Sequence, residues 1–131
     1  MDLWIEDSAD AVAVLAADFV QAALRVREPT IGLATGSTPV ATYDELIHRH
    51  DERGLRFDHA HYVLLDEYVG IPADHPAAYR RFIRERFTDR VGVSVDRVHG
   101  PHGDAADLAW AAESYERLLA HLPPREVQVL G

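Results

Sequence analysis

The chain reads as an α/β protein, a three-layer α/β/α arrangement around a mainly parallel, Rossmann-like sheet. Three observations carry this. Short apolar runs alternate with amphipathic stretches along the 131 residues, the pattern of strands joined by helical, right-handed crossovers. The first run ends on a glycine turn, Thr35-Gly36-Ser37-Thr38-Pro39. The second ends on a carboxylate pair, Asp66-Glu67. Ligands in such folds sit outside the carboxyl ends of the strands, so the turn and the pair are expected to share one mouth.

Each element has its own signal. From Ser8 to about Arg27, Val12, Leu15, Phe19, Ala23 and Val26 recur at helical spacing behind Ser8, an N-cap type. Pro29 stops that helix, and Thr30 to Ala34 is the first strand. Thr38 is expected to cap the next helix, with Pro39 in its first turn, Val40, Tyr43, Ile47 and His50 on one face, and Gly54 as its stop. His61 to Leu65 reads as the second strand and Tyr68 to His75 as a loop. Pro76 then opens a helix with Tyr79, Phe82, Ile83 and Phe87 inward. Asp89 to Gly103 is less regular. A helix from Ala106 to His121 is expected to bury Leu108, Ala112, Tyr115 and Leu119, and Val127 to Leu130 is the third strand.

Composition narrows the function. With 47% hydrophobic and 27% charged residues, the chain suits one packed domain over residues 1–131 and does not resemble a disordered segment. A net charge of −9 without a Lys/Arg cluster argues against nucleic acid or an anionic membrane surface as partner. A homo-oligomer is compatible with the sequence. No cysteine is present, which removes disulfides, thiolate metal sites and a Cys nucleophile and suits the cytoplasm. Asp2, Glu6, Asp7 and Asp10 are unlike a secretory or transit leader, and the longest apolar run, Ala11 to Ala17, is too short for a bilayer.

Two groups carry chemistry. In the turn, backbone N–H groups, the Ser37 and Thr38 hydroxyls and a helix dipole worth roughly 0.3–1 kcal/mol could hold a phosphate. A plain strand-to-helix turn accounts for the same residues, and the turn lacks the Lys of a Walker A loop and the third Gly of a dinucleotide fingerprint. Asp66, at the end of a buried strand, could be partly desolvated and fixed as a general base beside a carbonyl. Adjacent carboxylates point to opposite faces, so only one of the pair is expected at the ligand; a turn cap or a pairing with a nearby Arg accounts equally for such a carboxylate. His61, His75, His99 and His102 lack metal-ligand spacing, and no motif implies a metal or organic cofactor. His75 follows Asp66 closely enough for a place at the rim. Arg80, Arg81, Arg84 and Arg86 read as a solvated face balanced by Glu85 and Asp89.

Taken together, Leu33-Ala34-Thr35-Gly36-Ser37-Thr38-Pro39, Leu65-Asp66-Glu67-Tyr68-Val69-Gly70-Ile71-Pro72, His75-Pro76 and Tyr79 resemble the glucosamine-6-phosphate deaminase (isomerase) family, from about Ile31 to Gly131. The related 6-phosphogluconolactonases have a similar turn but typically Asp-Glu-Arg where this chain has Asp66-Glu67-Tyr68. The resemblance implies an amino-sugar phosphate substrate, ring opening, proton transfer between C2 and C1, and loss of ammonia to give fructose 6-phosphate. It assigns enolisation to Asp66, the phosphate to Thr35, Gly36, Ser37 and Thr38, and at most support to Glu67; His75 is a candidate supporting residue by its place in the loop.

Two departures stand out. Ala78 occupies a position where the family often has Ser. The sequence ends at Gly131, where the family continues into a segment bearing the ring-opening residues and further strands. The resemblance thus implies a sheet incomplete at its C-terminal end with an unpaired last strand, and the 131-residue chain alone is expected to have little or no deaminase activity. The other readings are a sugar-phosphate lactonase and a non-catalytic sugar-phosphate sensor.

Overall fold

The computed structural model describes residues 2–131. The elements run α1 (Ala9–Ala23), β1 (Thr30–Leu33), α2 (Val40–Arg53), β2 (His61–Leu64) and α3 (Tyr79–Ile83), which continues as a π-helical turn over Arg84–Thr88. A 3₁₀ turn (Val95–Arg97), β3 (Val98–His99), α4 (Leu108–His121) and β4 (Arg125–Gln128) follow. The four strands are parallel in the order β3-β2-β1-β4. The order reverses beside β1, so a crevice opens at the carboxyl ends of β1 and its neighbours.

The main core joins Ile31, Leu33, Tyr62, Leu64 and Val98 from one face of the sheet to α1, α2 and the α3 segment. Tyr43, Phe57, Tyr62 and Phe87 form its centre: Phe87 stacks on Tyr43 at 5.1 Å and meets Phe57 edge-on at 5.3 Å. Such pairs add about 0.5–1.5 kcal/mol each beyond the area they bury. Val63, of opposite parity, is buried on the other face, which α4 covers with Ala111 and Tyr115. The parallel sheet and three layers expected from the sequence are present.

Several local expectations are corrected. Ser8 does cap α1, its hydroxyl accepting the Ala11 N–H at 3.2 Å, but the helix ends at Ala23 and packs through Ala13, Ala17, Val20 and Ala23. Alanines allow the close approach to α2, whose buried Arg49 pairs with Asp18 and Glu45 at 2.7 Å each. Val12 and Phe19, expected inside, instead line an apolar groove of about 410 Å³ between α1 and the free edge of β4. α4 turns Ala111 and Tyr115 inward, while Leu108 and Ala112 are exposed. β4 begins two residues early at Arg125, and the Gln128 side chain lies where a Cβ on Gly32 would be. β3 falls inside the stretch expected to be irregular. No helix among the described residues is long and apolar enough to cross a membrane.

Candidate functional site

β1, β2 and β4 end around one cleft of about 170 Å³, lined by Leu33, Ala34 and Thr35, by Leu64, Leu65 and Asp66, and by Leu130 and Gly131. Thr35 and Asp66 therefore face the same space, because β1 and β2 are parallel and in register from Thr30↔His61 to Leu33↔Leu64. Equal strand ends deliver the two departing loops at the same height.

Gly36 turns the chain out of β1 with φ +96°, a conformation that strains any residue with a Cβ. Ser37 and Thr38 follow, exposed, and the turn closes with the Val40 N–H donating to the Ser37 carbonyl at 3.3 Å. Thr38 does not cap α2: Pro39 is the N-cap, and it makes no side-chain capping bond. From this turn the cleft lining takes Thr35, while Thr38 borders the apolar groove beside α1. The turn's start is held by Tyr43, whose buried hydroxyl accepts the Ala34 N–H at 3.1 Å and donates to the Ala34 carbonyl at 2.6 Å. Gly131 sits against Thr35 and Pro39, where a Cβ would come within 3.2 Å of the Thr35 carbonyl.

On the other side, Tyr115 from α4 donates its hydroxyl to the Leu64 carbonyl at 2.6 Å, fixing the end of β2. Leu65 and Asp66 leave the sheet, and both are exposed, so Asp66 lacks the partial desolvation expected of a strand-end carboxylate. Parallel pairing stops at Leu64, which leaves Asp66 beyond the ladder. Glu67 turns away and binds backbone: Oε1 accepts the Tyr68 and Tyr79 N–H groups at 2.9 and 2.8 Å, and Oε2 accepts the Arg80 N–H at 2.9 Å. The two carboxylates diverge in the loop after β2, past the strand whose alternation was expected to separate them. One carboxylate is free at the cleft and the other caps α3.

The loop between them is closed by the Gly70 N–H donating to the Gly103 carbonyl at 2.8 Å. Gly103 has to be glycine, since a Cβ there would run into the Tyr68 carbonyl. Tyr68 and Tyr79 rings lie 4.7 Å apart, and the Tyr79 phenol is raised above its ordinary value chiefly by the neighbouring Tyr68 phenol, then by desolvation and the nearby charges of Asp66 and Glu67. His75 is exposed and spends Nδ1 on the Ala77 N–H at 3.1 Å; it does not line the cleft. His61 and His99 bond each other at 3.1 Å. Arg81 and Arg84 pair with Glu85 and Asp89 as expected, but the Arg80 guanidinium reaches inward to the Gly100 carbonyl at 2.6 Å. Sequence reasoning identified Tyr43 and Tyr115 as inward residues and missed their hydroxyl partners, which have no signal in spacing.

Residues 5–131 match the family model described as glucosamine-6-phosphate isomerases/6-phosphogluconolactonase. A glucosamine-6-phosphate deaminase from Arthrobacter sp. (strain FB24) is 43% identical over 133 residues, covering 100% of this chain and 51% of the relative. Another, from Beutenbergia cavernae, is 45% identical over 128 residues, 97% of this chain and 49% of the relative. The solved structure of a monomeric glucosamine-6-phosphate deaminase superposes with a TM-score of 0.88 at 30% identity, over 92% of this chain and 50% of that one. A 6-phosphogluconolactonase from Thermotoga maritima shares the fold, with a TM-score of 0.66 at 23% identity over 88% of this chain and 51% of that one. The chain thus spans about half the length of the curated relatives it matches. On the match across residues 5–131, this chain belongs to the glucosamine-6-phosphate isomerase/6-phosphogluconolactonase family.

Proposed function

We propose that these 131 residues form one α/β domain that supplies the phosphate turn and the enolisation base of a glucosamine-6-phosphate deaminase, a cytoplasmic enzyme of amino-sugar catabolism. The observation that carries the reading is the cleft shared by Thr35 and Asp66. A hexose 6-phosphate placed with its phosphate at the turn formed by Thr35, Gly36, Ser37 and Thr38 has its C1–C2 end free to reach across toward Asp66. In the open-chain sugar, Asp66 takes the proton from C2 and returns it at C1. The aldehyde becomes an enol and then a 2-imine, and water releases the imine as ammonia, leaving fructose 6-phosphate. Glu67 supports this by holding α3 and the loop after Asp66, and His75 shapes the same loop through its turn. Tyr68, in place of the lactonases' Arg, favours the deaminase over lactone hydrolysis.

The test joins this chain to the half of the Arthrobacter relative that the match leaves uncovered and measures ammonia release from glucosamine 6-phosphate alongside 6-phosphogluconolactone hydrolysis. Ammonia release that Asp66→Asn lowers by about 10²–10⁴-fold is the expected result. Lactone hydrolysis without ammonia, or full turnover in Asp66→Asn, would overturn it.

A further inference from the structure

We propose that Tyr43 is the positioning residue of the Thr35–Thr38 turn, clamping both of its feet from a single side chain and backbone so that the turn is shaped for a phosphate before one arrives. The ligand half of this inference rests on the sugar-phosphate reading above.

The pairing of β1 ends at Leu33, yet Ala34 is only 7% exposed. Its N–H and carbonyl are therefore past the ladder and away from water, where unpaired groups are costly. The Tyr43 hydroxyl satisfies both, accepting at 3.1 Å and donating at 2.6 Å. The same residue's N–H donates to the Pro39 carbonyl at 3.1 Å, so the two ends of the turn meet on Tyr43. Its ring is fully buried and stacked on Phe87 at an interplanar angle of 16°, which fixes where the hydroxyl lies. Burial also raises the phenol well above its ordinary value, more than its backbone hydrogen bond lowers it, which keeps the donor proton in place. A phosphate meeting a turn already held at both feet forgoes most of the ordering cost.

Tyr62 supplies the matched control. It is equally buried and its hydroxyl donates to the Phe57 carbonyl at 2.9 Å, remote from the cleft. The experiment titrates glucosamine 6-phosphate into the ¹⁵N-labelled 131-residue chain and its Tyr43→Phe and Tyr62→Phe variants, and follows amide exchange at Ala34. Tyr43→Phe keeps the ring and its stack. It is expected to weaken binding about 5- to 10-fold and to speed Ala34 exchange by a similar factor, while Tyr62→Phe changes neither by more than about 2-fold. Unchanged affinity in Tyr43→Phe would overturn the proposal. If the unsubstituted chain shows no shifts from Thr35 to Thr38, the sugar-phosphate reading fails instead. Ala34 exchange then decides the clamp alone: a rate in Tyr43→Phe no faster than in Tyr62→Phe overturns it. Should Tyr43→Phe not fold, the unsubstituted chain decides: a slowly exchanging Tyr43 hydroxyl proton close to the Ala34 amide supports the clamp, and its absence overturns it.

Discussion

Glu67 accepts the Tyr79 backbone N–H at 2.8 Å, a contact across twelve residues that folds the loop after Asp66 back onto the start of α3. The first N–H groups of a helix have no partner inside it, and Ala78 at the N-cap offers no side chain to help. Glu67 fills that role with both oxygens. Removing it by Glu67→Ala is expected to cost about 1–2 kcal/mol, read as a fall in Tm of several degrees. Amide signals from Tyr68, Tyr79 and Arg80 should shift most.

Asp66 stands in contrast to its neighbour, exposed and without a hydrogen bond among the described residues. Asp66→Asn is expected to change stability by no more than about 0.5 kcal/mol in thermal or urea unfolding. Paired with lost turnover in the joined protein, that result separates a chemical role from a structural one.

Arg49 is 3% exposed and ties α1 to α2 through Asp18 and Gln21, the latter at 2.9 Å, while pairing with Glu45 within α2. Arg49→Met keeps most of the buried stem and removes four hydrogen bonds, to Glu45, Asp18, Gln21 and the Val14 carbonyl. Because Asp18 is already half in water and can be solvated, the loss is expected to be about 2–3 kcal/mol in urea unfolding, below that of a fully buried pair.

His99 is held below the usual histidine value near 6.5, first by burial and then by the positive charge of His61, Arg80 and Arg97, with Asp96 opposing. Its folded form resists a proton that the unfolded chain accepts. Its neutral state costs nothing above that value, and stability is expected to fall as pH drops below about 6.5. Tm measured from pH 8 to pH 5 should decline, and His99→Gln should flatten part of that decline.

Much of the architecture was legible in the chain. The alternation of apolar runs and amphipathic stretches gave the parallel sheet, Gly54 stopped α2 in the left-handed conformation, and Ser8 capped α1. β3 was not legible, because two residues paired to β2 have no period of their own. Nor was the inward face of α1, which carries both an alanine stripe and a Val12–Phe19 stripe. Periodicity cannot rank two apolar stripes; close helix contact selected the alanines and left the larger residues beside β4.

Sequence by itself determined that a glycine turn and an acidic pair stand at the ends of the first two strands, since chain order and strand length follow from local pattern. Tertiary structure alone decided which carboxylate stays free and which caps a helix, that Asp66 is exposed, and that Tyr43 and Tyr115 hold the strand ends. Those outcomes depend on hydrogen bonds between residues 9 to 51 positions apart, and the direction of a side chain across such a span is set by packing.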